Sequence, residues 1–232
     1  MKVAAFLKDR TGFIRRHYET AAAPFYEIMR RIEAGEEPYE PPYSEDGEPP
    51  FLEEWMEAKT SLELLGATCV SMLSGCLKLY FVTWEEQLDI KCRDHLPDEF
   101  NRKRGKGFVN GYKTCFGQLL KTDWSECPAD WPVLEQIVLA RNDTQHARSI
   151  YDLGPRHGYD VRDKHPLPFF LSEDEKRLIE TDQLVELPWL GLSLVVTQEA
   201  LFEAIRQVEI LADWMEEPLS ELRYGRHRPS GR

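Results

Sequence analysis

The segment Ala67-Thr-Cys-Val-Ser-Met-Leu-Ser-Gly-Cys-Leu-Lys-Leu-Tyr-Phe-Val82 says most about how this chain folds. It is apolar almost all round, and Lys78 is its one charged residue. A helix without a polar face needs neighbours on every side, as at the centre of a helical bundle or in a dimer interface. We therefore expect residues 51–93 to form a long, largely helical stretch at the centre of the fold.

Four other segments repeat apolar residues at the spacing of an amphipathic helix, namely residues 2–33, 108–120, 132–147 and 197–217. Gly12 is expected to interrupt the first of them, and Pro218 to end the last. Asp130 and Thr197 are expected to cap the third and fourth of these helices, and a capping box, Ser172 to Glu175, predicts one more short helix. The expected fold is all-α, a helical bundle with long irregular loops, in a single domain over residues 1–232.

Three segments depart from the helical pattern. Residues 35–50 are rich in Pro, Glu and Gly, with Pro-Pro pairs at 41–42 and 49–50, and predict a flexible loop. Apolar residues alternate over residues 183–196, which predicts a strand or a small β-hairpin. Residues 223–232 contain four Arg and no acid, and predict a disordered basic tail.

The charge is unevenly distributed. The net charge of −12 argues against indiscriminate binding to nucleic acids. Residues 33–58 contain ten acids and no Lys or Arg, whereas residues 91–121 contain eight Lys or Arg against three acids. An anionic polymer would therefore meet the second region, whose densest basic part is residues 102–106.

Composition also bears on location. No stretch approaches the ~20 apolar residues that span a bilayer, and charges follow Met1 too soon for a signal peptide. We expect a cytoplasmic protein without a membrane partner, whose five Cys are reduced thiols. No Cys-x-x-Cys pair or convincing metal-ligand cluster occurs, so no metal or other cofactor is expected.

The hexapeptide Arg141-Asn-Asp-Thr-Gln-His146 lies on the helix predicted for residues 132–147. With Arg141 at zero on a helical wheel, Gln145 falls near ~40°, Asn142 near ~100° and His146 near ~140°. The same arc contains three earlier residues of the helix, Leu134, Glu135 and Val138. Polar groups thus continue an apolar face, and since unpaired buried polar groups are costly, the cluster indicates a functional site.

This arrangement resembles the Arg-x4-6-His motif of the HEPN superfamily, in which Asn, Asp or His usually follows the Arg. Here Asn142 follows Arg141, and four residues separate Arg141 from His146. The resemblance implies an all-α bundle, and a homodimer in which two motifs share a cleft. It also implies a metal-independent endoribonuclease of the toxin or antiphage-defence kind, with a cognate antitoxin or a defence-complex subunit as a further partner.

The residue types suit this chemistry. RNA is cut without a metal when its 2′-hydroxyl attacks the adjacent phosphorus, which requires a group such as His to move protons and an Arg to stabilise the phosphorane. Arg141 and His146 are the candidate catalytic residues, and Asn142 would orient the imidazole or bind a phosphate oxygen. The candidate RNA-binding residues are Arg102, Lys103, Arg104, Lys106 and Gln145.

Two other interpretations stay open. One is a catalytically silent HEPN-like module that binds a partner protein or a nucleotide, although such members often lack the Arg…His pair that this chain retains. The other is an unrelated helical interaction protein that docks through its acidic residues 33–58. A Ser or Cys hydrolase has little support, because no Gly-x-Ser-x-Gly motif occurs.

Overall fold

A computed structural model describes residues 2–42, 49–101, 106–145, 154–158, 161, 164–181 and 192–226. The all-α class expected from the sequence is confirmed, because these residues form helices and no strand. The helices are α1 Val3–Ala34, α2 Leu52–Leu88, α3 Cys92–His95, α4 Phe108–Leu120, α5 Trp131–Gln145, α6 Glu173–Glu180 and α7 Gln198–Arg226, with a 3₁₀ turn at Pro97–Phe100.

The central helix is α2, which packs against α1, α5 and α7. Helix α1 runs antiparallel to it, because Leu7 lies beside Tyr80 at one end, while the Trp55 indole donates to Glu33 at 3.0 Å at the other. The largest fully buried side chains of α2 are Leu73, Leu77, Phe81 and Trp84. The all-round apolar sequence of α2 is thus explained mainly by neighbours within the same chain.

Among the described helices, α2 alone is long and apolar enough to cross a membrane by length and composition, which the sequence analysis did not expect. Its most apolar window of 18 residues has a mean hydropathy of 1.5. However, 56% of that window is buried inside the protein, as in the core helix of a bundle. Its exposed apolar side chains include Leu64, Met72 and Leu79.

Polar side chains form hydrogen bonds across the contact between α1 and α7, which we call the α1–α7 seam. The Glu216 carboxylate accepts the backbone N–H groups of Val3 at 3.1 Å and Ala4 at 2.8 Å. These donors belong to the first turn of α1, where a helix offers them no partner. Farther along, the Thr11 hydroxyl donates to Glu209 at 2.5 Å, so the polar groups of the seam satisfy one another.

Three helices begin with the capping residues expected from the sequence. Each capping oxygen accepts a backbone N–H that the first turn leaves without a partner. The pairs are Asp130 with Val133 at 3.3 Å, Ser172 with Glu175 at 3.2 Å and Thr197 with Ala200 at 3.2 Å. The helix predicted for residues 108–120 coincides with α4.

Two predicted helix breaks were wrong. Helix α1 continues through Gly12, and α7 continues through Pro218 to its end. A proline removes one helical hydrogen bond, but the neighbouring Leu219 is fully buried, and the packing of α7 holds the helix together. Residues 223–226 of the predicted basic tail are therefore helical, and residues 227–232 lie outside the described part.

The β-hairpin predicted at residues 183–196 is not found in its described part, residues 192–196. The Leu192 carbonyl accepts the N–H of His157 at 2.9 Å, and Ser193 forms an isolated bridge with residue 156. The apolar alternation arises because every second side chain enters the core, while the backbone pairs with loop segments. The first part of the predicted hairpin, residues 183–191, lies outside the described residues.

The loop predicted at residues 35–50 begins at Gly35, whose φ of 61° lies in the left-handed region that favours glycine after a helix. The Tyr39 ring packs edge-on against Phe51 with centroids 5.3 Å apart. Both ends of this loop are thus held to the ends of α1 and α2. Residues 43–48 lie outside the described part.

A disulfide joins Cys92 at the start of α3 to Cys115 of α4, with Cα atoms 5.7 Å apart. The expectation of reduced thiols is therefore wrong for these two residues. Cys69 and Cys76 are free and buried in the core, as their spacing on α2 indicates. Burial raises the pKa of the Cys69 thiol to about 11.

Candidate functional site

Helices α2 and α5, together with residues from α3 to the start of α4, line a partly open cavity of about 390 Å³, which we call the basic cavity. Cavities of roughly 300–1,000 Å³ are typical of ligand sites. Its charged lining within the described residues is four cations and one acid, Lys78, Arg93, Lys106, Arg141 and Glu135. A local surplus of positive charge thus lies in a chain whose net charge is −12.

Helix α5 brings the predicted motif to this cavity. Arg141, Asn142 and Gln145 all belong to its lining, as the arc on the helical wheel requires. The Arg141 guanidinium donates to the Asn142 side-chain oxygen at 3.1 Å. Asp143 belongs to another face of the helix, where its carboxylate accepts the N–H of Gly158 at 3.1 Å. One face of the motif therefore lines the cavity, and another face binds the loop that contains Gly158.

Four predicted site residues lie outside the described part of the chain, namely Arg102, Lys103, Arg104 and His146. Of the predicted basic loop, Lys106 is described, and it lines the cavity. It pairs with Glu99 at 2.5 Å, and Asn110 donates to the other oxygen of that carboxylate at 2.9 Å. The Lys106 ammonium, and after it the Asn110 amide, hold the pKa of the Glu99 carboxyl below its usual range.

The α2 wall contributes Lys78 and Gly75, to which the sequence analysis gave no role at a site. Lys78 is exposed, so its place in an otherwise apolar helix is also explained by solvent and gave no specific signal of a site. A Cβ atom built on Gly75 would meet no other atom within 4 Å, so the cavity has open space beside this residue. Within the described residues, Lys78 has no carboxylate partner.

The third wall is formed by Arg93 and Phe100. The guanidinium carbon of Arg93 lies 5.5 Å from the centre of the Phe100 ring, a cation–π contact. The ring also stands edge-on to Tyr112, with centroids 5.1 Å apart. It lies directly over Gly111, where a Cβ would approach it to 2.5 Å. Glycine at position 111 therefore lets Phe100 reach its place in the wall.

The Glu85 carboxylate fastens this wall to α2. One oxygen accepts the backbone N–H of Cys92 at 2.7 Å, and the other accepts the Tyr112 hydroxyl at 2.7 Å. Burial and, after it, the nearby Glu85 raise the pKa of Tyr112, so its hydroxyl stays a donor. The Cys92–Cys115 disulfide joins α3 and α4, the two helices that Glu85 binds, covalently. The position of Arg93, next in the chain to Cys92, is thus fixed from two sides.

Glu135 is the acid of the cavity within the described residues. Its carboxylate forms an ion pair with Lys164 and lies 3.3 Å from Nε2 of His165. The His165 backbone N–H in turn donates to the carbonyl of Val161 at 2.7 Å. The sequence placed Glu135 on the arc of Arg141 but could not supply its partners, which lie about thirty residues farther along the chain.

The described residues contain no group of three or more His, Cys, Asp or Glu side chains that could hold a metal ion. Comparison of the chain with protein-family models, with curated proteins and with solved structures gives no match. The HEPN relationship therefore rests on the resemblance of residues 141–146 and on their helical setting, and it stays a prediction.

Proposed function

We propose that this chain is a metal-independent endoribonuclease of the toxin or antiphage-defence kind. The 2′-hydroxyl of the RNA would attack the adjacent phosphorus. The observation that carries the proposal is the convergence of three separate parts of the chain on one cavity. They contribute Lys78 from α2, Arg93 and Lys106 from the segment around the 3₁₀ turn, and Arg141, Asn142 and Gln145 from α5.

The charge balance of the cavity favours a phosphate ligand. Lys106 is neutralised by Glu99, and Glu135 by Lys164. Lys78, Arg93 and Arg141 have no carboxylate partner in the described part of the chain. Cations in a partly enclosed space attract phosphate groups, and an Arg fork matches two phosphate oxygens at once.

In the proposed reaction Arg141 stabilises the charge that develops on the phosphorane oxygens. Its contact with Asn142 engages the amide oxygen of that residue and leaves the NH₂ group to donate to a phosphate oxygen. His146, which the sequence predicts one helical turn after Asn142, transfers the protons. Cleavage in this way yields a 2′,3′-cyclic phosphate and a 5′-hydroxyl.

We further propose a homodimer that brings two copies of Arg141 and His146 together. Exposed apolar side chains on α1 and α2 support a contact between copies, and they include Phe6, Phe13, Met72 and Leu79. A cognate antitoxin or a defence-complex subunit would restrain the activity. Light scattering at micromolar concentration tests the dimer, and a fully active monomer would contradict it.

The function is tested with purified protein and end-labelled RNA in EDTA. We expect wild type to cleave and His146→Ala to lose about 10²–10⁴-fold in rate, the range for a general acid–base group. His17→Ala, a change of an exposed histidine on α1, is the matched control and should cleave as wild type does.

Three results would contradict the proposal. One is equal cleavage by wild type and His146→Ala. Another is complete loss of activity in EDTA that Mg²⁺ restores. The third is binding of RNA without cleavage, which would favour the catalytically silent binding module.

A further inference from the structure

A second cavity, which we call the apolar cavity, lies between the starts of α5 and α7 and the chain that leads into α6. It is partly open, it has a volume of about 1,050 Å³, and its accessible lining is mostly apolar. The apolar side chains include Val133 of α5, Leu167, Pro168 and Phe169 before α6, and Ala200 of α7. This volume lies near the upper end of the roughly 300–1,000 Å³ that is typical of small-molecule sites.

Two glutamines beside this cavity are buried, and they differ in how their amides are paired. Gln207 is 6% exposed, its oxygen accepts the N–H of Asp130 at 2.7 Å, and its NH₂ group donates to Glu203 at 2.6 Å. Gln136 is 5% exposed, and its oxygen accepts the N–H of Phe169 at 2.7 Å. The Gln136 NH₂ group, however, has no acceptor among the described residues.

The unpaired group of Gln136 is a donor that faces the apolar cavity. Since only an oxygen can accept the N–H of Phe169, the remaining group of the amide is its NH₂. Gln136 belongs to the lining of the cavity, and its NH₂ group is not sealed from that space. A buried donor without an acceptor is costly, so this one calls for an oxygen inside the cavity.

The lysines of the lining are already paired with carboxylates of the protein. Lys176 forms an ion pair with Glu173 at 2.7 Å, and Lys164 forms one with Glu135. Neither ammonium group is left to neutralise an anionic ligand. The oxygen that reaches Gln136 is therefore expected on an uncharged group.

The helix starts at the rim of the cavity lead to the same conclusion. Helices α5, α6 and α7 begin there, and in each first turn a side-chain oxygen of the chain itself accepts an N–H. These oxygens belong to Asp130, Ser172 and Thr197, and they stand where an anion would otherwise bind. Asp130 and the exposed Glu199 also line the cavity and repel an anion.

We propose that the apolar cavity binds an uncharged, largely apolar small molecule whose carbonyl oxygen accepts a hydrogen bond from the NH₂ group of Gln136. The apolar surface of the ligand covers Leu167, Phe169 and Ala200, and its carbonyl satisfies the one buried donor. No step of the proposed ribonuclease reaction uses this cavity, so the inference goes beyond the proposed function.

The experiment is a fluorescence titration of the full chain with Nile red. This dye is uncharged and apolar, it carries one ring carbonyl, and its emission increases and shifts to shorter wavelength in apolar surroundings. We expect saturable binding of one dye per chain. Absence of saturable binding would overturn the proposal and show that water alone occupies the cavity.

Gln136→Glu tests the hydrogen bond. This change keeps an oxygen for the N–H of Phe169 but replaces the donor by a second acceptor, so Nile red should bind about tenfold more weakly. Pyrene, an aromatic hydrocarbon without an oxygen, should lose less affinity in the same variant. An equal loss for both probes would overturn the role of Gln136.

Leu167→Ala tests the location. Leu167 is 49% exposed, so its truncation leaves the fold intact and removes apolar contact with the dye, which should bind about fivefold more weakly. Leu178→Ala is the matched control, because Leu178 is 38% exposed on α6 and does not line the cavity. Circular dichroism checks the fold, and if Gln136→Glu does not fold, Leu167→Ala decides the test.

A second control separates this cavity from the exposed apolar face of α1 and α2. Leu79→Ala should bind Nile red as wild type does, because Leu79 lies on that other face. A loss in Leu79→Ala as large as in Leu167→Ala, or no loss in Leu167→Ala, would overturn the proposal. Since dye binding is measured without RNA, its outcome is independent of whether the chain cleaves RNA.

Discussion

The α1–α7 seam and the basic cavity both place charged side chains between helices, yet they differ in how those charges are paired. In the seam the Glu216 carboxylate accepts hydrogen bonds from two backbone N–H groups of α1, and Glu209 accepts one from the Thr11 hydroxyl. Around the cavity Lys78, Arg93 and Arg141 have no carboxylate partner among the described residues. Lys78 and Arg93 are exposed and Arg141 is half-buried, so water can solvate them, and what distinguishes the cavity is a local surplus of positive charge that favours an anionic ligand.

The largest expected effect on stability concerns α2, which packs against α1 and α7 and also lines the basic cavity. Leu77→Ala should lower the free energy of unfolding by about 2–5 kcal/mol, because Leu77 is fully buried and its removal leaves a hole. Leu79→Ala on the same helix is the control and should change it by about 0.5 kcal/mol or less, since Leu79 is 48% exposed. Urea denaturation measures both, and equal effects would mean that Leu79 is also covered.

The next effect concerns activity alone. Arg141→Ala should lower the rate of RNA cleavage about 10²–10³-fold through lost stabilisation of the phosphorane. The free energy of unfolding should change little, because within the described residues Arg141 forms no ion pair and its hydrogen bond is to the neighbouring Asn142. Arg206→Ala removes an exposed arginine that pairs with Glu203, and it serves as control. If Arg141→Ala destabilises the protein and spares cleavage, the cavity is structural like the seam.

A smaller effect is expected in the seam. Glu216→Gln should destabilise the protein by about 1–2 kcal/mol, because two backbone donors of α1 lose a charged acceptor. Cleavage of RNA by the folded protein should not change. Glu217→Gln, at the next and exposed position, is the control for the loss of one negative charge. Thermal unfolding of the two variants that gives the same midpoint would contradict the capping role.

The smallest effect concerns Lys106, which among the described cations of the cavity is paired with a carboxylate, that of Glu99. Pairing with Lys106 lowers the pKa of Glu99 relative to the unfolded chain, so the pair stabilises the protein above the usual carboxyl pKa. That contribution is lost as the pH falls through the lowered pKa of the folded state. Glu99→Gln should make the loss of stability slightly less steep as the pH falls below the usual carboxyl pKa of 4.5. An unchanged slope in thermal unfolding would show that the pair contributes nothing.

Local signals in the sequence were enough for most of the helices and for three of their starts, although the short α3 was not predicted. Apolar spacing predicted α4 from end to end, and the capping residues Asp130, Ser172 and Thr197 begin the helices that they were expected to begin. Local rules failed at Pro218, where tertiary packing outweighs the preference of proline for a helix end. They failed again at residues 192–196, whose alternation reflects burial and not pairing of strands.

The site was predictable only along α5. The helical wheel brought Arg141, Asn142 and Gln145 to one face, because their relation is local. Lys78 and Arg93 come from other elements, and only the packing of α2, α3 and α5 brings them to the same cavity. The Cys92–Cys115 pairing was not predicted because the expected cytoplasmic location implied reduced thiols, and an odd number of cysteines gave no pattern of pairs.

The disulfide makes residues 92–115 a closed ring of the chain, and this ring carries Arg93, Phe100 and Lys106. A peptide bond cut anywhere between the two cysteines would open the ring without dividing the molecule. The two pieces would migrate as one band on a gel until a dithiol reduces the bond. One wall of the cavity can therefore lose the continuity of its backbone and stay covalently attached to the rest of the bundle.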